Sequence, residues 1–160
     1  MPNKKYINAS LITFGFVLIG IQFIPSKSNQ GQIYSPEYIS NVVQLNADVE
    51  QIFKTACFDC HSNHTNYLWY SNVQPIGFWI EHHVNEGKEE LNFSHFANYS
   101  KKKQIHKLEE CIEMLEADEM PLGSYRIIHK EAELNQEQKQ LLIQSLKSMI
   151  QQIQSKKFKA

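Results

Sequence analysis

The chain has 160 residues, 42% hydrophobic and 21% charged, with a net charge of −1. That length and balance fit one globular domain with an appendage, and a near-neutral total gives no reason to expect a nucleic-acid partner. Three cysteines are too few for a disulfide framework.

The N-terminus reads as a targeting segment. Lys4 and Lys5 precede an apolar run from Ala9 to Ile24, broken only by Ser10, Thr13 and Gln22. As one helix the run would span about 24 Å, a little under the roughly 30 Å of a bilayer's hydrocarbon core. No small-x-small cleavage site follows it, and no cysteine suited to lipidation. Residues 1–24 are therefore expected to be an uncleaved anchor helix rather than a removed signal. The leading lysines put the N-terminus in the cytoplasm, and hence the remainder at the outer, periplasmic face of the cytoplasmic membrane. Residues 25–44 read as a polar linker: Ser26 to Gln32 carry no period, and Ser35-Pro36 breaks anything helical. The folded domain is expected over residues 45–155, with a frayed tail at Lys156-Lys157-Phe158-Lys159.

Within that domain Asn46 caps a short helix whose apolar positions are Val49, Ile52 and Phe53. The helix runs into Cys57-Phe58-Asp59-Cys60-His61. Two cysteines three apart, with a histidine directly after the second, are the spacing of covalent c-type haem attachment. Each thiol can add to one vinyl group of the porphyrin, and the histidine then reaches the iron from the same side. Zinc or dithiol redox chemistry would use the thiolates without needing that histidine. A zinc site completed by His61 and His64, or by His82 and His83, is the alternative, weakened because no second such cysteine pair exists.

After the motif comes a loop and then an aromatic patch, Tyr67-Leu68-Trp69-Tyr70, read either as core or as a wall against the porphyrin edge. Pro75 opens a helix with Ile76, Trp79, Ile80 and His83 on one face and Gly87 weakening its end. Ser100 caps a helix striped by Ile105, Leu108, Ile112 and Leu115, with Cys111 beside the stripe as a small apolar residue. Lys101-Lys102-Lys103 is its solvated first turn. Pro121 and Gly123 hold a loop that presents Met120. Asn135 and Gln138 match a capping box, and Leu141, Leu142, Leu146, Met149, Ile150 and Ile153 share one face of the last helix. No strand signal is present, so the fold class expected is all-α.

The stretch from Cys57 to about Met149 resembles the bacterial haem-binding domain family, relatives of small single-haem c-type cytochromes. The matching pieces are Cys57 to Asn63, Trp69-Tyr70-Ser71-Asn72, the helix from Ile80 to Gly87, Leu91-Asn92-Phe93-Ser94, and Glu119-Met120-Pro121-Leu122. His64 departs from the pattern, standing where relatives often carry an acidic residue. The resemblance implies covalent haem c with its iron, an exported domain, and a cytochrome c-like helical fold in which the first and last helices pack together.

The cofactor-binding residues expected are Cys57, Cys60, His61 and Met120, with His61 and Met120 on the iron. Met120 lies 59 residues after His61 (120 − 61) in a constrained loop, and the resemblance points to the same residue. His82, His83 and His129 are the competing ligands, while Met114 and Met149 read as packing. With both axial positions filled, no place is left for substrate, and the expected role is electron transfer to a redox partner protein rather than catalysis. An enzyme or gas sensor with an open axial site is the rival.

Overall fold

A computed structural model describes residues 4–156; the first three residues of the expected anchor and residues 157–159 of the expected tail lie outside it. Among the described residues there are seven α-helices and no strand, only an isolated bridge between Gln30 and His64. The helices are α1 (Lys4–Ile21), α2 (Ala47–Ala56), α3 (Phe58–His61), α4 (Ile76–Glu90), α5 (Lys101–Glu116), α6 (Gly123–Ile128) and α7 (Gln136–Ser155).

Capping follows the sequence closely. Asn46, Ser100 and Asn135 each accept a backbone N–H of their helix's first turn, and Asn135 with Gln138 completes the reciprocal box. The stripe Leu108, Ile112 and Leu115 of α5 is buried against Leu142, Leu146, Met149, Ile150 and Ile153 of α7. Helix α7 also touches α2. A second cluster is aromatic: Phe53 stacks on Phe93 at 4.6 Å between ring centres, and Phe58 lies 5.9 Å from Phe93. Phe58 is the first residue of α3, so the helix bearing Cys60 and His61 is anchored in that aromatic cluster.

Two expectations change. Helix α1 stops at Ile21, three residues short of the end of the apolar run, and among the described residues no helix is long and apolar enough to cross a membrane. Pro25 cannot continue the helix, and at the break the Gln22 side-chain amide turns to the domain. Its Nε2 donates to the Gln74 carbonyl at 2.9 Å, and its Oε1 accepts the Gln74 N–H at 3.0 Å. Residues 25–44 do not hang free either. Tyr38, Ile39 and Val43 are buried in the main cluster. Asn29 donates to the Ser62 carbonyl and to Thr65 Oγ1, its own backbone N–H goes to the Tyr67 hydroxyl, and it accepts from Lys88 Nζ at 2.7 Å. A stretch polar in composition is thus held by its polar groups, because each finds a fixed partner on the domain.

Candidate haem site

Helix α2 breaks at Cys57, whose φ of −126° lies outside the helical range, and α3 restarts as a single turn. The His61 N–H bonds the Cys57 carbonyl at 2.9 Å, closing that turn. Positions 57, 60 and 61 stand three and four apart across it, which puts the two thiols and the imidazole on one face. That face lines a cavity of about 480 Å³, bounded across from it by Met120, Pro121 and Leu122. An adjoining apolar cavity of about 400 Å³ also has Cys57, His61 and Met120 in its wall. Such volumes fall in the range of small-molecule and cofactor sites.

His61 is fixed from behind. Its Nδ1 lies 2.8 Å from the Gly87 carbonyl and 3.1 Å from the Leu91 carbonyl, so Nδ1 carries the proton and donates it. The tautomer left has its lone pair on Nε2, the form a metal takes. Burial lowers the His61 pKa, partly opposed by those two carbonyls, and keeps the ring neutral.

The close approach that permits this depends on Gly87. A Cβ there would stand 2.7 Å from the Cys60 carbonyl oxygen and 3.0 Å from Cys60 Cβ. The sequence marks Gly87 as a weak point of α4, whereas the structure has it as the place where α4 meets the motif. A glycine inside an otherwise helical pattern is the signal that points to such a contact.

Burial pushes both motif thiols up, Cys60 to about 11, so they are held as neutral thiols rather than reactive thiolates. Cys111, pushed up to about 12 for the same reason, lines the 400 Å³ cavity beside Cys57. Met114, expected as packing, is 36% exposed and lines that cavity too.

Asp59, which the motif leaves as a spacer, ties the surroundings together. Its carboxylate accepts the Tyr125 hydroxyl at 2.7 Å and the Asn66 N–H at 2.9 Å, and its carbonyl accepts Thr65 Oγ1 at 2.6 Å. Tyr125 stands on α6, directly after the Met120-Pro121 segment, so this clamp relates that segment to α3. No pattern in the sequence pairs residues 66 apart (125 − 59).

The competing histidines are placed differently. His82 is exposed and paired with Glu86. His129 is buried, with Nε2 2.7 Å from the Tyr70 hydroxyl and Nδ1 facing Glu131, and it is not in the wall of either cavity. His83 does line the larger cavity, but from α4, the helix that carries Gly87 behind His61. The patch Tyr67-Leu68-Trp69-Tyr70 is neither core nor part of these walls: Leu68 and Trp69 are exposed. Among the described residues no group of three or more His, Cys, Asp or Glu is placed to hold a metal ion by itself, so the zinc reading lacks a donor set.

Residues 16–148 match a protein-family model described as a haem-binding domain. No curated protein and no solved structure matches the chain.

Proposed function

The chain belongs to the haem-binding domain family, and from that premise we propose that it is a c-type electron carrier, its haem joined covalently through Cys57 and Cys60. The carrying observation is His61: a half-buried imidazole whose Nδ1 is spent on two carbonyls while the residue lines the same cavity as both thiols and Met120. These residues fit haem. The two thiols would form the thioether links, and His61 Nε2 and the Met120 sulfur would hold the iron. Iron so held would supply one-electron chemistry between its ferric and ferrous states.

What the protein contributes is placement and environment. The Gly87 and Leu91 carbonyls raise the electron density of the imidazole through its N–H. Phe53, Leu91, Phe93, Leu142 and Leu146 form the apolar side of the smaller cavity, whose wall also includes Glu90, Lys107, Glu110 and Glu113. Met120 so placed would leave no position for a substrate, which supports a redox protein as the partner. The location proposed is the outer face of the cytoplasmic membrane, reached by export of the whole chain, with α1 lying in that surface rather than crossing it. All-round apolarity in a helix calls for burial, and Leu11, Phe14, Phe16 and Ile19 of α1 are exposed in the chain by itself.

The optical spectrum of the purified protein tests this reading. A six-coordinate, low-spin spectrum that carbon monoxide leaves unchanged is expected. A high-spin spectrum that shifts with carbon monoxide would indicate an open axial site and favour the sensor or enzyme. Absence of a Soret band in a haem-supplied preparation would remove haem from the account.

A further inference from the structure

We propose that the domain itself, and not only its N-terminal helix, rests on a lipid bilayer, through the apolar face formed by Trp69, Val73, Ile76, Trp79, Ile127 and Ile128. The proposal builds on the membrane location above and adds a second, independent contact.

These side chains are exposed: Trp69 by 79%, Trp79 by 47% and Ile127 by 70%. Ile76, Trp79 and Ile128 belong together in space, because they rim one narrow cleft with Tyr70, on whose ring Trp69 packs edge-on; Val73 and Ile127 adjoin them along the chain. Both tryptophans of the chain lie on this face. Residues 65–80 contain no Asp, Glu, Lys, Arg or His, although the stretch is largely at the surface. A contiguous apolar surface of this kind marks a contact with something.

The choice of lipid over protein comes from α1. Its end is pinned in the middle of the face: Gln22 makes its two bonds to the Gln74 backbone, and Gln74 Nε2 donates to the Ile24 carbonyl at 3.2 Å. Gln74 stands between Val73 and Ile76. Phe23, 83% exposed, lies between Gln22 and Ile24, the two residues bonded to Gln74. Two uncharged stretches, residues 6–26 and 65–80, thus meet at one boundary. If α1 enters lipid, this attachment brings the tryptophan face to the same surface. Tryptophan rings are enriched at the headgroup level, where an apolar body and a polar N–H are both satisfied.

Flotation of the haem-loaded full chain with phosphatidylcholine vesicles tests it, using three proteins. Wild type should float. A chain with Phe14→Lys and Val17→Lys, which removes α1 from the bilayer, should still float in part. Adding Trp69→Ser and Trp79→Ser should lower its partition about tenfold, since binding scales with apolar area buried. Exposed tryptophans can be replaced without opening the core, and unchanged haem content and melting temperature verify this.

A wild type that stays in solution would sink the membrane reading together with the proposal. Should wild type float while the α1 variant does not, the membrane reading stands and the second contact is refuted. Equal flotation with and without the tryptophans also refutes it. So does a lipid-free, concentration-dependent dimer of the α1 variant that the serine changes abolish, because a second copy would then be the occupant.

Discussion

Gly87→Val should be among the most damaging single substitutions in this protein. The new side chain begins 2.7 Å from the Cys60 carbonyl oxygen and 3.2 Å from its carbonyl carbon, and backbone cannot move aside as a flexible side chain can. Either α4 shifts outward or the α3 turn distorts. Both outcomes lengthen the bond from His61 Nδ1 to the Gly87 carbonyl. Overpacking of this kind costs about 1–3 kcal/mol, and a weakened buried hydrogen bond adds about 1 kcal/mol more. Valine's helix propensity exceeds glycine's by only a few tenths of a kcal/mol and does not offset this. A fall in Tm of roughly 10 °C is expected, with reduced haem incorporation, read by thermal melting and by the haem-to-protein absorbance ratio. Gly123→Ala is the control, because a Cβ there meets only the Arg126 Nη2 at 3.9 Å. A Gly87→Val protein as stable and as well loaded as that control would mean that α4 does not brace the motif.

Met120→Ala should leave haem in place and change the iron. A thioether favours the ferrous state relative to a second imidazole. The oxidised wild type should therefore show the weak far-red sulfur-to-iron band, and the variant should lose it. Its potential should fall, and carbon monoxide should now bind the ferrous form. Met114→Ala discriminates the two thioethers near the cavity: Met114 is on α5, and its carbonyl accepts the Met120 N–H at 3.3 Å, so its removal should leave the band intact. Persistence of the band without Met120, with its loss on removing Met114, would reassign the ligand. A band missing from wild type would turn attention to His83, the one competing histidine in the cavity wall.

How much of this was legible in the sequence depends on the range of the interaction. Helices α2, α5 and α7 begin where Asn46, Ser100 and Asn135 predict, because a cap bonds within three residues of itself. The α5 stripe is likewise readable, since a 3.6 period states which side must be covered. By contrast, the docking of residues 25–44 rests on Asn29 reaching Ser62, Thr65 and Lys88, 33 to 59 positions away. A polar stretch without period looks like a tether until those partners are known. For the site, the motif states which atoms are brought together at positions 57, 60 and 61. It is silent on what stands behind them. Gly87 and Leu91 hold the imidazole by carbonyls, and a backbone carbonyl leaves no mark in composition. Asp59 is hidden for a similar reason, because its partner Tyr125 is defined by α6, a six-residue helix too short to announce itself by periodicity.

The central claim is covalent attachment through Cys57 and Cys60, and the intact mass under denaturing conditions tests it most directly. The protein should be made in an export-competent host with haem-attachment machinery. The mass expected is that of the polypeptide plus one haem, retained on a denaturing gel as haem staining. Cys57→Ser and Cys60→Ser should each impair that retention, and Cys111→Ser should leave it complete. A mass equal to the bare polypeptide, with any haem lost on denaturation, would contradict the claim.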